Sequence, residues 1–155
     1  ELMTSQAMEP GELRFTRIFE APRELVFRCM IEPGHLTHFW GPIGTSAPLD
    51  HITVEAKQGG RFETVMISDG DGSQYPTSAV YEEVTEPERL VWTEAQSGMR
   101  VTITFAEAGR ARTEVSIHQT NVPAEYRSEQ AQAGFLTSLD RFAWYLTELR
   151  PGGMS

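Results

Sequence analysis

His35 and His38 stand three residues apart in HLTHFWGP, followed at once by Phe39, Trp40 and a Gly-Pro break. On a helix such a pair shares a face, and two imidazoles so placed are half of a tetrahedral zinc site. Asp50 and His51 follow as further donors. Nothing else supports a metal: HExxH, a second Glu-x-x-His and a cysteine pair are all missing. We therefore expect two partly exposed histidines and no metal site. The run DGDGSQ, Asp69 to Gln74, begins like a calcium loop, but Gln74 stands where glycine is required and Val80 where glutamate is required. It reads as a hairpin turn.

Acid–base and covalent chemistry leave fainter traces. The sequence has no glycine-rich phosphate cradle and no nucleophile elbow. Glu55 or His51, turned inward at the edge of a cavity, would serve as a general base, yet each also reads as a solvated strand-end residue. We assign no catalytic residue and expect no cofactor. Cys29, the one cysteine, sits among Val26, Met30 and Ile31. It has no internal disulfide partner and reads as a small buried apolar residue rather than a reactive thiol.

These residues must be carried by a chain of 155 residues, a length suited to one well-cored domain. Thirteen basic against 22 acidic side chains give a net charge of −9, with Lys57 the single lysine. That balance repels nucleic-acid backbones and anionic membrane surfaces. No apolar run approaches the ~20 residues of a membrane span, and no signal-peptide pattern opens the sequence. A reduced, cytoplasmic setting is the expectation. Residues 1–10 and 151–155 read as tails, disordered at the N-terminus, around one domain over residues 11–150.

LRFTRIF alternates as a strand, with Leu13, Phe15 and Ile18 as its apolar side. APRELVFRCMIEPG changes the period. Pro22 suits a first helical position, Leu25, Val26, Cys29 and Met30 share a face, and Pro33 ends the helix near Ile31 or Glu32. A second short helix spans Gly34 to Phe39. Six strands follow, HITVEA, RFETVMIS, TSAVYEEV, RLVWTEA, RVTITFAE and TEVSIHQT, joined by short loops as in an antiparallel meander. Phe135, Leu139, Phe142, Leu146 and Leu149 then form one helical stripe, predicting a helix from about Pro123 to Leu149, roughly 40 Å long.

The fold class is α+β: a curved antiparallel sheet of about seven strands wrapped around a long C-terminal helix, with two short helices after the first strand. A helix on a concave sheet fills only part of the hollow. Alternation turns Phe62, Met66, Tyr81, Leu90, Trp92, Val101, Ile103, Phe105, Val115 and Ile117 inward. The same phase carries Thr64, Gln119 and Asn121 inward. A buried amide without partners costs about 1–3 kcal/mol. Gln119 must therefore meet water, a side chain or a ligand. Trp40 either plugs the end of the core or stands at the cavity mouth. Gly134, inside the last helix, marks a close approach to the sheet or second helix, or space for a ligand.

The ordered set APRELVF, FWGPIG, QGGRFETVM and DGDGSQYPTSAVYEEVTEPERLVWT resembles the activator of heat-shock-protein-90 ATPase homologues, a family of the START-like, birch-allergen-like superfamily. GFLTSLDRFAWYL resembles its closing helix, with Phe135 where tryptophan is commoner. The likeness runs from about Phe15 to Leu146. It implies a helix-grip fold whose relatives often bind apolar small molecules between helix and sheet. It also implies a stress-response link, because some relatives stimulate a chaperone's ATPase. In eukaryotic members that activity involves an additional domain, for which these residues leave no room. Cyclase-like relatives of the fold use acid–base groups in the cavity.

We accordingly expect non-catalytic binding of a hydrophobic small molecule. Its contacts are Trp40, Phe62, Thr64, Met66, Tyr81, Trp92, Phe105, Ile117, Gln119, Phe135, Leu139 and Phe142. A chaperone modulator and a cavity enzyme are the alternatives, as a monomer or homodimer.

Overall fold

The computed structural model describes residues 11–149, so the expected tails lie outside the described residues. Alternation builds the first strand, β1 (Leu13–Phe19). Leu13 and Phe19 are buried and Phe15 is half-buried, which sends Ile18 to solvent at 43% exposed. The expected burial of Ile18 is thus corrected, since a strand with Leu13 inside turns position 18 outward. Arg17 takes the inner phase instead and meets Asp140 at 2.9 Å.

Pro22 precedes α1 (Arg23–Cys29) rather than opening it, and Met30 closes the helix. Pro33 begins the next element, α2 (Pro33–Leu36), as its first residue. Beyond α2 the chain stays tightly turned as far as Trp40, whose N–H donates to the Leu36 carbonyl at 2.9 Å. Helix α1 buries Val26, Phe27 and Cys29. Phe27, which the expected helical face omitted, packs edge-on to Phe105 at 5.1 Å.

Among the described residues eight strands form one sheet. After β2 (Thr45–Ser46) and β3 (Thr53–Val54) come β4 (Arg61–Ser68), β5 (Gln74–Thr85), β6 (Arg89–Glu94), β7 (Arg100–Glu107) and β8 (Thr113–Thr120). The order is β1-β8-β7-β6-β5-β4-β2, with β3 also on β4, and every pairing is antiparallel. The strand expected from His51 shrinks to Thr53–Val54, because Leu49–His51 coils into a 3-10 turn behind Pro48. At Gly60 a Cβ would lie 2.0 Å from the Glu55 carbonyl oxygen, so only glycine fits where β4 begins.

The last helix, α3 (Glu129–Leu149), has 21 residues and is about 32 Å long. It starts later than expected. The polar segment after Pro123 has no apolar stripe to bury and makes a 3-10 turn at Ala124–Tyr126. The Ser128 hydroxyl accepts the Ala131 N–H at 3.0 Å, satisfying one of the helix's free donors. Leu139, Phe142 and Leu146 are the buried part of the stripe and join the sheet's inner face in one core.

Candidate ligand cavity

Where the sheet's inner face and α3 diverge, a cavity of about 520 Å³ opens. Small-molecule sites commonly span ~300–1,000 Å³. One end of the core is closed by aromatic packing: Phe142 stacks on Phe39 at 4.2 Å and tilts against Phe19 at 4.8 Å. Along one wall, Phe62 packs in T-shaped contacts with Trp40 at 5.3 Å and Trp92 at 4.9 Å. On the facing side Phe135 of α3 meets Phe15 of β1 at 4.6 Å.

Nine of the twelve expected contact residues line this space: Trp40, Phe62, Met66, Trp92, Ile117, Gln119, Phe135, Leu139 and Phe142. Three do not. Thr64 is buried and shares a hydrogen bond of 2.9 Å with the Thr77 hydroxyl, its cross-strand partner. Phe105 is covered by Phe27 of α1. Tyr81 is sealed behind Phe62 and Trp92, its hydroxyl buried without a partner among the described residues. Burial pushes that phenol well above its ordinary pKa. Asn121 is also corrected. It follows the end of β8, where alternation no longer applies, and turns out at φ 58° to donate to the Gly98 carbonyl at 3.2 Å.

Sequence reasoning overlooked two residues that shape the site. Glu94 ends β6 and lines the cavity, and burial raises its carboxyl above the ordinary range against an opposing hydrogen bond from Ser97. The signal was present: Leu90 and Trp92 point inward, and a period of two carries Glu94 with them. Arg141 is the second. Its Nη1 donates to the carbonyls of Gly41 at 2.8 Å, Pro42 at 3.2 Å and Thr45 at 3.2 Å, holding the loop after Trp40 against α3. At Gly41, φ is +94° and a Cβ would fall 2.6 Å from Thr45 Oγ1 and 2.8 Å from Met66 Sδ. The Gly-Pro break thus lets the loop close tightly beside Trp40. Gly134 shows no comparable constraint, because a Cβ there would meet only Pro42 at 3.9 Å.

The histidines serve packing. His35 Nδ1 lies 2.6 Å from the Tyr145 hydroxyl, and the His38 ring stacks on Tyr145 at 4.9 Å. Among the described residues no three or more His, Cys, Asp or Glu gather to hold a metal ion. Asp69 to Ser73 forms the β4–β5 turn and Gln74 opens β5, with the Ser73 N–H donating to Asp71 at 3.0 Å. Glu55 is bound to Arg61 and His51 is exposed on its 3-10 turn, so neither candidate base lines the cavity. Cys29 is fully buried, and its thiol is pushed up to about 12, chiefly by desolvation.

Comparison with known proteins agrees with this architecture. A protein from Chromobacterium violaceum superposes with a TM-score of 0.80 at 26% identity, covering 87% of this chain and 96% of its own. One from Nitrosomonas europaea gives 0.76 at 25% identity, covering 91% and 97%. The AHSA1 protein of Silicibacter pomeroyi shares the fold at 0.76 and 21% identity, covering 90% and 99%. No curated protein matches the chain. The family model described as activator of Hsp90 ATPase homolog 1-like protein matches residues 20–147. With its helix-grip sheet, long closing helix and START-like neighbours, the chain belongs to the Hsp90 ATPase activator homologue 1-like family.

Proposed function

We propose that the helix-grip domain over residues 11–150 is a non-catalytic binding module for a hydrophobic small molecule. The observation that carries this is the cavity of about 520 Å³, walled by Trp40, Phe62, Trp92 and Phe135 inside an otherwise packed core. Leaving such a volume empty forfeits contacts and apolar burial that a ligand restores. The buried, unpaired Cys29 fits a reducing, cytoplasmic setting. Native and denaturing mass spectra of freshly purified protein test the reading. Extra mass confined to the native spectrum supports it, and Trp40→Ala then weakens retention more than it weakens folding. Equal losses would make Trp40 a plug.

A second reading, a modulator of an Hsp90-type chaperone, draws on the family's description and on the exterior. Trp144 and Ile43, 58% and 57% exposed, line a shallow depression beside Arg141. With a net charge of −9, chaperone capture is expected to weaken with salt and with Trp144→Ala. Capture indifferent to both would remove this reading.

A further inference from the structure

The cavity's charge is confined to one side chain. Among its lining residues Glu94 alone is a carboxylate, and none is Arg, Lys or His. The hydroxyl of Ser97 donates to it at 3.2 Å, and no ion pair reaches it among the described residues. The outer surface is built differently. There Glu82 pairs with Arg100 at 2.9 Å, Glu83 with Arg89 at 3.0 Å and Glu55 with Arg61 at 3.3 Å. A half-buried carboxylate left without a cation is costly unless something supplies one.

Two further polar groups share this end of the cavity. Gln119 lies opposite Val101 on β8, and its amide makes no hydrogen bond to the other described residues. Tyr126, on the 3-10 turn ahead of α3, is close enough for the Glu94 charge to act on its hydroxyl. The opposite end is closed by Phe39 and Phe142. The space is therefore amphipathic along its length, acidic at one end and aromatic at the other.

We propose that its occupant is an amphipathic amine, an apolar body carrying a protonated nitrogen that seats against the Glu94 carboxylate. This deepens the binding-module reading and rests on it. An ammonium brings three donors and no acceptor, matching the carboxylate and the Gln119 carbonyl, and the face of Tyr126 adds a cation–π surface. The apolar body lies along Trp92 and Phe135. An anionic head would meet Glu94 and a chain of net charge −9.

Calorimetric titration of the intact chain with decylamine, decanol and decanoic acid, each below its aggregation threshold, tests this. Decylamine is expected to bind about tenfold more tightly than decanol, with decanoic acid weakest. Glu94→Gln should bring the amine's affinity down to that of decanol, and Glu82→Gln, the same charge change on the outer face, should leave the amine preference intact. Equal affinity for amine and alcohol, or a preference that survives Glu94→Gln, overturns the amine assignment alone. If none of the three probes binds, the binding-module reading falls with it.

Discussion

The two ends of α3 face the same sheet and are built on opposite plans. Toward its C-terminus, Leu146 and Phe142 sink into a packed cluster with Phe19, Phe27 and Phe39, capped by α1 and α2, and only the inner edge of the Phe39–Phe142 stack reaches the cavity. Toward its N-terminus, Phe135 and Leu139 border open space, faced by Trp92, Glu94 and Gln119. Both ends follow the same helical stripe. What differs is what caps them: two short helices bring large rings to one end, whereas a polar 3-10 turn brings only Tyr126 to the other. One end fills the core, and the other leaves open volume.

The sharpest way to break this comparison is to truncate a ring at each end. Phe142→Ala removes a buried aromatic from close packing and is expected to cost about 4 kcal/mol in denaturant unfolding. Phe135→Ala, whose ring already borders a void, should cost under ~2 kcal/mol and shift probe binding instead. Similar stability losses would mean that the cavity end is as tightly packed as the other.

Arg141 couples the ends by fastening the Gly41–Thr45 carbonyls to α3. Arg141→Ala takes the guanidinium donor from the Trp40 and Gly41 carbonyls, while Pro42 keeps its bonds from Thr45, and is expected to cost about 1–3 kcal/mol, with faster amide exchange through the Trp40 loop. Unchanged exchange there would show that the loop holds itself.

Glu94 separates the ends by pH. Burial raises its folded pKa above the usual carboxylate value of 4.5, so the folded chain holds this proton more tightly than the unfolded chain. Its contribution to stability is complete below that value and is lost as pH rises through the folded pKa. Glu94→Gln removes the loss. The variant should be more stable than the parent at about pH 8, with the gap closing toward about pH 4. A gap that stays constant across that range would place the carboxyl in water.

The smallest effect concerns Gly134, where a methyl meets only Pro42 at ordinary contact distance. Gly134→Ala is expected to stabilise by up to about 1 kcal/mol through helix propensity and to leave decanol binding unchanged. Weaker binding would mean that this glycine keeps space for the ligand after all.

How much was legible depended on what each residue answers to. Phe62, Met66, Trp92 and Ile117 line the cavity on the face that alternation gives them, because strand alternation is local and strict. Glu94 obeys the same alternation, but a charged residue at a strand end reads equally well as solvated, and only the burial seen in the fold separates the two. Thr64 and Tyr81 obeyed it too, yet neighbours seal them off from the cavity, which alternation does not report. Ile18 failed where the residue type pulled against the period.

The chain's own pattern determined the helix-grip architecture: a strand, two short helices, a meander and a closing amphipathic helix. Those features rest on backbone geometry and on periods of two and 3.6 residues, which neighbouring side chains encode. Only the tertiary structure decided where the core is full and where it is hollow. It also placed Arg141 beneath the Trp40 loop, about a hundred residues away in sequence. Volume left between packed surfaces depends on how distant rings meet, and a carboxylate's environment depends on which cations fail to reach it; neither is written in any single segment.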